Sequence, residues 1–493
     1  MAAAPRILHI SMECVPYSKV GGMADVVGSL PAALRRLDYD CQVFTPYYKQ
    51  VYRGPAGDEL ASFDVRIGDS DHAVRLLDGG DHVILVDQPT AYDRAGIYDD
   101  PLTREGFGDS LFRCLVLQQA ARVALRDGHL AADVVHCHDN HTGLVPVYLK
   151  DDGGPPTVFT IHNLAYQGIY GSDQFWITGL APDRFYGYSP FEFHGDLSLL
   201  KAAITHADLV TTVSPSYADE IVRPEFGHGL DGALRDLGDR LVGILNGIDE
   251  SVWDPQTDPH LPAQFSAARP ANKKKCKQAL LERAGLDTSS DAPLCGIVSR
   301  VTEQKGLDLI GQLLPWLVHR GAQVVLLGSG DAAILDLFRG AQGSFPGRVS
   351  VFEGYDEPLS HLIYGGSDIF FIPSRFEPCG LTQMYAMRYG AVPVVTAMGG
   401  LKDTVLPFDD ARPDGTGVLA DWATTDSLRG AIEYALDLYD QPAKFKKMRR
   451  NGLRREFSWD GSAREYARLY ERLLLPASAP RVSRFAVASP KPP

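Results

Sequence analysis

Ser374-Arg-Phe-Glu-Pro-Cys-Gly-Leu-Thr-Gln-Met-Tyr385 is the stretch on which the reading of this chain turns. Before it, Ser367-Asp-Ile-Phe-Phe-Ile-Pro373 is a short apolar run rich in Ile and Phe, which predicts a buried strand. After it, Gln383-Met-Tyr-Ala-Met-Arg-Tyr389 predicts a helix that stops at Gly390. Glu377 to Thr382 is therefore a strand-to-helix turn. The first N–H groups of such a helix have no partner within it and form a ready anion seat, and Gly380 lets a ligand come close to the backbone. A carboxylate beside an anion seat suits a ligand with two ends, phosphate for the amides and hydroxyls for Glu377. A capped loop with a surface glutamate fits the same local pattern.

Working outward, the same strand–loop–helix rhythm recurs along the chain. Arg6–Ile10, Asp133–Cys137, Thr157–Ile161, Asp208–Val213 and Leu241–Leu245 read as strands in the first half. Pro293–Val298, Ala322–Leu327, Arg348–Phe352, Asp368–Ile372 and Val392–Val395 read as strands in the second. Helical spacing lies between them, and a hairpin is expected through Asp78-Gly-Gly-Asp81. Alternation of this kind predicts an α/β chain with parallel sheets covered on both faces. Trp253–Pro270, rich in Pro, Gln and Asp, breaks the rhythm and reads as an inter-domain crossing. The expected organisation is an N-terminal Rossmann-like domain at 1–252 and a second at 253–459. A helix at about 460–475 completes the first, and residues 476–493 form a disordered Pro/Ser/Ala-rich tail. Ligands are expected beyond the carboxyl ends of the strands, with the two domains facing across a cleft.

Composition narrows the partners. The chain has 493 residues, 45% hydrophobic and 22% charged, with net charge −14. Two or three domains are the prior at this length, and an acidic surface disfavours nucleic acid and anionic membranes as partners. The seven cysteines are scattered, odd in number and never spaced C-x-x-C. They point to a reducing, cytoplasmic location and away from a disulfide framework or a structural zinc site. No apolar run approaches the ~18 residues needed to span a bilayer, and the N-terminus leaves no room for a signal peptide.

Four further loops carry chemistry. Lys19-Val-Gly-Gly-Met-Ala-Asp25 follows the first strand and opens a helix. Gly21 and Gly22 permit positive φ and close backbone approach, and Lys19 adds a cation; a tight turn with a solvated lysine is an equal reading. It matches neither a dinucleotide fingerprint nor a P-loop. Arg300 and Lys305, two cations on one strand-end loop, suit a diphosphate. His136-Cys-His-Asp-Asn-His141 would put His136 and His138 on one strand face, with His141 just beyond. It lacks a general-base glutamate at metalloprotease spacing, so a polar cluster with Asp139 as its contact is the better account than a metal site. His162-Asn163 ends the next strand in the same way. Tyr355 could stack on a base, and Asn246-Gly247 predicts a turn.

Taken together, Lys19-Val-Gly-Gly-Met-Ala-Asp-Val, Thr160-Ile-His-Asn-Leu-Ala-Tyr-Gln-Gly168, Asn246-Gly-Ile-Asp, Ser299-Arg-Val-Thr-Glu-Gln-Lys-Gly and the opening stretch resemble bacterial glycogen synthase and plant starch synthase. The resemblance runs in order from about residue 6 to 475. It implies the glycosyltransferase-B fold and an enzyme that moves glucose from ADP-glucose to the non-reducing end of an α-1,4-glucan, with retention and with no metal or other cofactor. It implies that Lys19, Arg300, Lys305 and the amides near Leu381 and Thr382 meet the diphosphate, and that Tyr355 stacks on adenine. Glu377 with the Cys379–Gly380 backbone would hold glucose hydroxyls, and His162 would lie near the transferred sugar. Gly21, Gly22 and Asn246 fall on the donor side, Asp139 and Asn163 on the acceptor side. Two positions depart from the family's pattern: Met23 replaces the usual Leu and Asn140 the usual Trp. Tyr385 stands where other retaining transferases often carry a second Glu but glycogen synthases do not, which supports the glycogen and starch branch. The expected mechanism is front-face attack, with the departing phosphate taking the acceptor's proton and domain closure excluding water. The rivals are an α-glucan phosphorylase, which lacks a recognisable cofactor-lysine segment here, a UDP-glucose transferase, and a glucan-binding scaffold without catalysis.

Overall fold

In a computed structural model, which describes residues 4–52 and 54–475, the chain divides into two compact units. The first runs to Thr212 and includes Ala218–Ile244 and the chain from Asp460; the second comprises Val213–Tyr217 and Leu245–Trp459. The expected tail at 476–493 lies outside the described residues.

The first unit is built on strands β1 (Arg6–Ile10), β2 (Asp40–Pro46), β3 (Glu59–Ile67), β4 (Ser70–Gly80), β5 (Val83–Asp87), β6 (Val134–His138) and β7 (Thr157–Ile161). Three very short strands follow, β8 (Ile169–Tyr170), β9 (Glu192–Phe193) and β10 (Asp196–Ser198), and then β11 (Leu209–Thr212) and β12 (Leu241–Gly243). The main sheet has the order β12-β11-β7-β6-β1-β2-β5-β4-β3. Its pairings are parallel from β12 to β5, and β4 and β3 add an antiparallel edge. The β4–β5 hairpin turns at Asp81–His82, at the end of the expected Asp78–Asp81 stretch. Burial on both faces fits the absence of an apolar/polar alternation in β6 and β7: every residue in each is buried, His136 and His138 included. The helix Trp459–Leu474 returns to this unit, where the Tyr470 hydroxyl meets His136 Nδ1 at 2.7 Å and Tyr39 donates to the Ala467 carbonyl.

The second unit holds β13 (Leu294–Val298), β14 (Gln323–Gly328), β15 (Val349–Glu353), β16 (Ile369–Ile372), β17 (Val392–Thr396) and β18 (Val418–Ala420). All pairings are parallel, in the order β15-β14-β13-β16-β17-β18. Side chains alternate between two cores: Ile369 and Phe371 enter one, Phe370 and Ile372 the other. Full burial of each such side chain stabilises by roughly 1.5–3 kcal/mol.

Trp253–Pro270, read from its composition as an inter-domain crossing, lies within the second unit. Trp253 is stacked between His361 and Tyr385, with ring centroids 4.0 and 3.8 Å away. The buried Asp258 carboxylate meets His361 Nδ1 at 2.7 Å and accepts the Tyr389 hydroxyl at 2.5 Å. Asp258 and Trp253 thus anchor the segment within the second unit, while Gln256, Thr257, His260, Gln264 and Arg269 remain exposed. Tyr385, expected to matter as the missing second carboxylate, serves as one wall of that aromatic stack.

Candidate active site

In the second unit the carboxyl ends of β13 and β16 are tied together. Arg375 donates its amide to the Gln304 carbonyl at 2.8 Å and its guanidinium to both Asp308 oxygens at 2.7 Å. Gly306, at φ +65°, sits where a Cβ would lie 2.1 Å from the Pro373 carbonyl, so only glycine allows the two loops to touch. This clasp brings Lys305 to Glu377: the ammonium lies 2.9 and 2.7 Å from the two carboxylate oxygens, and Ser374 Oγ donates to one of them at 2.7 Å. The carboxylate is buried while Lys305 remains partly open. Two donor groups, through three hydrogen bonds, therefore fix the orientation of the Glu377 carboxylate.

The turn after Glu377 is equally constrained. Gly380 is left-handed at φ +73°, and Gln383 donates to the Cys379 and Gly380 carbonyls at 3.1 and 3.0 Å. Cys379 is buried, which pushes its thiol up to about 12, while the Asn246 amide donates to it. Asn246 thus reaches the same turn, and its side-chain Oδ1 is buried without a partner. Leu381 caps the helix Thr382–Arg388 without a side-chain hydrogen bond. That helix has only seven residues, so its opening offers local N–H groups more than a macrodipole. Arg300 is exposed just past β13, and Tyr355 is 76% exposed beyond β15.

In the first unit the Gly-rich loop differs from expectation. Neither Gly21 nor Gly22 has positive φ; Gly21 is extended at φ −134° and is the N-cap of the helix Gly22–Arg35. The reason is Glu13, which the sequence reading did not single out. Its buried carboxylate accepts the Val20 amide, the Gly21 amide at 3.0 Å and the Tyr98 hydroxyl at 2.7 Å, drawing the loop straight. Burial raises its pKa against these three bonds. A side chain at Gly21 would meet nothing within 4 Å, so the loop is open on that side. Lys19 pairs with Asp25 at 2.7 Å.

The ends of β6 and β7 hold the histidines. His136 and His138 share a face, with ring centroids 4.3 Å apart, but the third member is His9 from β1, not His141. Ligand-capable atoms of His9, His136 and His138 lie within 4.8 Å of one another. Their nitrogens are largely spent within the chain. His136 bonds Tyr470 and Thr160, and His138 bonds His9 and His162. His141 instead stacks on Tyr98 at 4.8 Å. Burial drives these imidazoles toward the neutral form, His9 and His162 to about 3, His141 to about 4, and His136 and His138 well below the ordinary value. Asp139, at φ +57°, accepts the His162 amide at 2.7 Å and also bonds the Asn163 amide; burial pushes its carboxyl up to about 7. It is thus a clamp on the His162–Asn163 loop. The Asn163 side chain accepts the Ala165 amide at 3.0 Å. Asn140 donates to the Tyr166 carbonyl at 3.1 Å and fills the space beside Gly168, tethering the far end of that loop.

Two family models match the chain: starch synthase catalytic domain over residues 6–236, and glycosyl transferases group 1 over residues 281–452. The chain is 44% identical over 483 residues to a glycogen synthase of Marinobacter nauticus, covering 95% of this chain and 98% of that one. It is 42% identical over 479 residues to a glycogen synthase of Rhodospirillum rubrum, covering 94% and 98%. Among solved structures it resembles the catalytic domain of starch synthase IV from Arabidopsis thaliana bound to ADP and acarbose. That match has TM-score 0.87 and 32% identity over 96% of this chain and 99% of the other.

Proposed function

This chain belongs to the glycogen and starch synthase family of glucosyltransferases, and from that premise we propose that it transfers glucose from ADP-glucose to the non-reducing end of an α-1,4-glucan with retention of configuration. The observation that carries the donor side is the Lys305–Glu377–Ser374 cluster beside the Gly380 turn. A fixed carboxylate is a strong acceptor for sugar hydroxyls, and Lys305 is the cation available for a diphosphate leaving group. Arg300 adds a planar fork on the same loop, and the amides at Leu381 and Thr382 add neutral donors. Tyr355, with 76% of its surface exposed, offers a face for adenine. ADP in the plant relative supports the nucleotide assignment.

On the first unit, His162 and Asn163 are assigned to the sugar, with Asp139 setting their loop, and Lys19 and the Gly21–Gly22 turn to the phosphates. His162 is neutral at pH 7 and acts there as a hydrogen-bonding group, not a charge. As the donor's glycosidic bond breaks, charge grows on the leaving phosphate, and Arg300 and Lys305 lower the barrier by meeting it. The acceptor hydroxyl attacks from the same face and the departing phosphate takes its proton. No metal is required in this scheme. Seven buried, unpaired cysteines support a reducing compartment, and among the described residues no helix is long and apolar enough to cross a membrane.

The test is ADP or UDP release by the purified protein given ADP-glucose or UDP-glucose, with and without glycogen, in EDTA. Glycogen-dependent release from ADP-glucose is expected. Release only from UDP-glucose would overturn the donor assignment. Loss of activity in EDTA, restored by a divalent ion, would overturn the metal-free scheme.

A further inference from the structure

His9, His138 and His162 form a continuous chain of imidazoles. His9 Nδ1 lies 3.1 Å from His138 Nε2, and His138 Nδ1 lies 3.0 Å from His162 Nε2. The strand pairing sets this up. β1 lies beside β6 with His9 opposite His136, and β6 lies beside β7 with His138 opposite Thr160, two residues before His162. His136 braces the middle ring by stacking on it, and is itself held by Tyr470 and Thr160, the latter bonded onward to Thr211.

A neutral imidazole has one N–H and one lone pair. Two imidazole–imidazole bonds among three neutral rings can therefore run in only two senses. In one, His162 donates to His138, which donates to His9, and the terminal His9 Nε2 must carry a hydrogen. That atom is buried without a partner, which would strand an N–H donor. In the other sense His9 Nδ1 donates to His138 Nε2, His138 Nδ1 donates to His162 Nε2, and His9 Nε2 is a bare nitrogen. Orphaned buried N–H groups are the rarer defect, so the second sense prevails. Its consequence reaches the end of the chain: the His162 Nε2 lone pair is consumed, and its single N–H stands on Nδ1.

We propose that His9 and His138 are positioning residues that lock His162 in its Nδ1-protonated form, so that it meets the sugar as a hydrogen-bond donor and is barred from taking a proton at Nε2. This rests on the assignment of His162 to the sugar made above. It names a chemical role for that residue, and it gives a function to two buried histidines that touch no substrate.

The full chain labelled with ¹⁵N-histidine gives the tautomer directly through long-range ¹H–¹⁵N correlations at pH 7.5. His162 should show a protonated Nδ1 and a bare Nε2. An Nε2-protonated or doubly protonated ring would overturn the proposal. Kinetics supply the second readout. In His138→Asn the side-chain amide can stand where Nδ1–H stands, whereas His138→Leu cannot donate. The asparagine variant should keep kcat within about threefold of the parent. The leucine variant should lose ten- to a hundredfold in kcat with donor KM nearly unchanged. Equal kcat in the two variants would overturn the positioning role. Should the leucine variant fail to fold, the parent spectrum and the asparagine variant still decide. His162→Ala retaining full transfer would sink the sugar assignment while leaving the tautomer result intact, so the two failures are distinguishable.

Discussion

Lys305→Met removes the ammonium that lies 2.9 and 2.7 Å from the Glu377 oxygens and leaves Ser374 as the remaining side-chain donor of the three contacts described. Glu377's side chain is 7% exposed and that of Lys305 19%, so the stranded carboxylate sits mostly out of water. Breaking a buried pair costs about 3–5 kcal/mol, and the partial opening at Lys305 puts this case near the lower end, about 3 kcal/mol. Glu377→Gln strands the more accessible partner and should cost about 1–2 kcal/mol. The double variant should cost no more than about 2 kcal/mol, giving a coupling of roughly 2–3 kcal/mol. Turnover should behave differently. If Lys305 acts on the leaving phosphate, both variants that lack it lose at least a hundredfold in kcat, whatever their stability. Urea unfolding and steady-state transfer on the four proteins separate the two effects. Recovery of turnover to within tenfold of the parent in the double variant would refute the catalytic role, since the loss would then come from the stranded Glu377. A stability change below about 1 kcal/mol for Lys305→Met would refute the burial argument.

Three other outcomes follow from the same geometry. Gly306→Ala should destabilise by at least about 2 kcal/mol and lower kcat, because the added carbon meets the Pro373 carbonyl at 2.1 Å in a left-handed position; thermal unfolding and transfer assays would show it. The first unit should also be acid-sensitive. His9, His136, His138, His141 and His162 stay neutral when folded and charge near pH 6.5 when unfolded, so their contribution is complete above that pH and is lost as pH falls. From pH 7.5 to 5.5 each costs up to about 1.4 kcal/mol, about 7 in all. Asp139 runs the other way: with its pKa raised to about 7, its folded form keeps a proton the unfolded form releases near pH 4, and it returns about 2 kcal/mol over the same window. Hydrogen exchange corrected for intrinsic rates should show β6 and β7 losing protection by roughly 5 kcal/mol at pH 5.5. His141→Phe should shrink that loss by about 1.4 kcal/mol, and Asp139→Asn should enlarge it by about 2; unchanged slopes in both would contradict the assignment.

The ten parallel strands read from the sequence match to within one or two residues, most of them being short buried runs, whereas β2, β5 and β18 were not singled out. Thr157–Ile161 and Asp368–Ile372 needed no pattern subtler than a short run of Val, Ile, Phe and Thr. β8, β9 and β10 were not legible, since two or three residues carry no periodicity. The site split along the same line. Lys305, Glu377 and Gly380 stand in local motifs whose turn chemistry can be read directly. His9 and Glu13 could not be found that way. His9 matters only because β1 lies beside β6, and strand order is not written in a local pattern. Glu13 sits in a loop, seven and eight residues before the amides it binds; the available signal was a carboxylate just past a strand end and just before paired glycines. The glycines themselves misled: the sequence permits positive φ, but a buried carboxylate accepting two successive amides holds the backbone extended. Trp253–Pro270 misled in the opposite way: its Pro and polar residues read as a crossing, but the segment lies within the second unit, anchored by Trp253 and the buried Asp258.

The most direct measurement of the central claim is the linkage formed from ADP-glucose labelled with ¹³C at C1, with maltotetraose as acceptor, followed by NMR as transfer proceeds. Growth of a labelled α-1,4 signal at the non-reducing end, tracking ADP release one for one, is the predicted result. A labelled β linkage, or labelled free glucose appearing in step with ADP, would contradict the account.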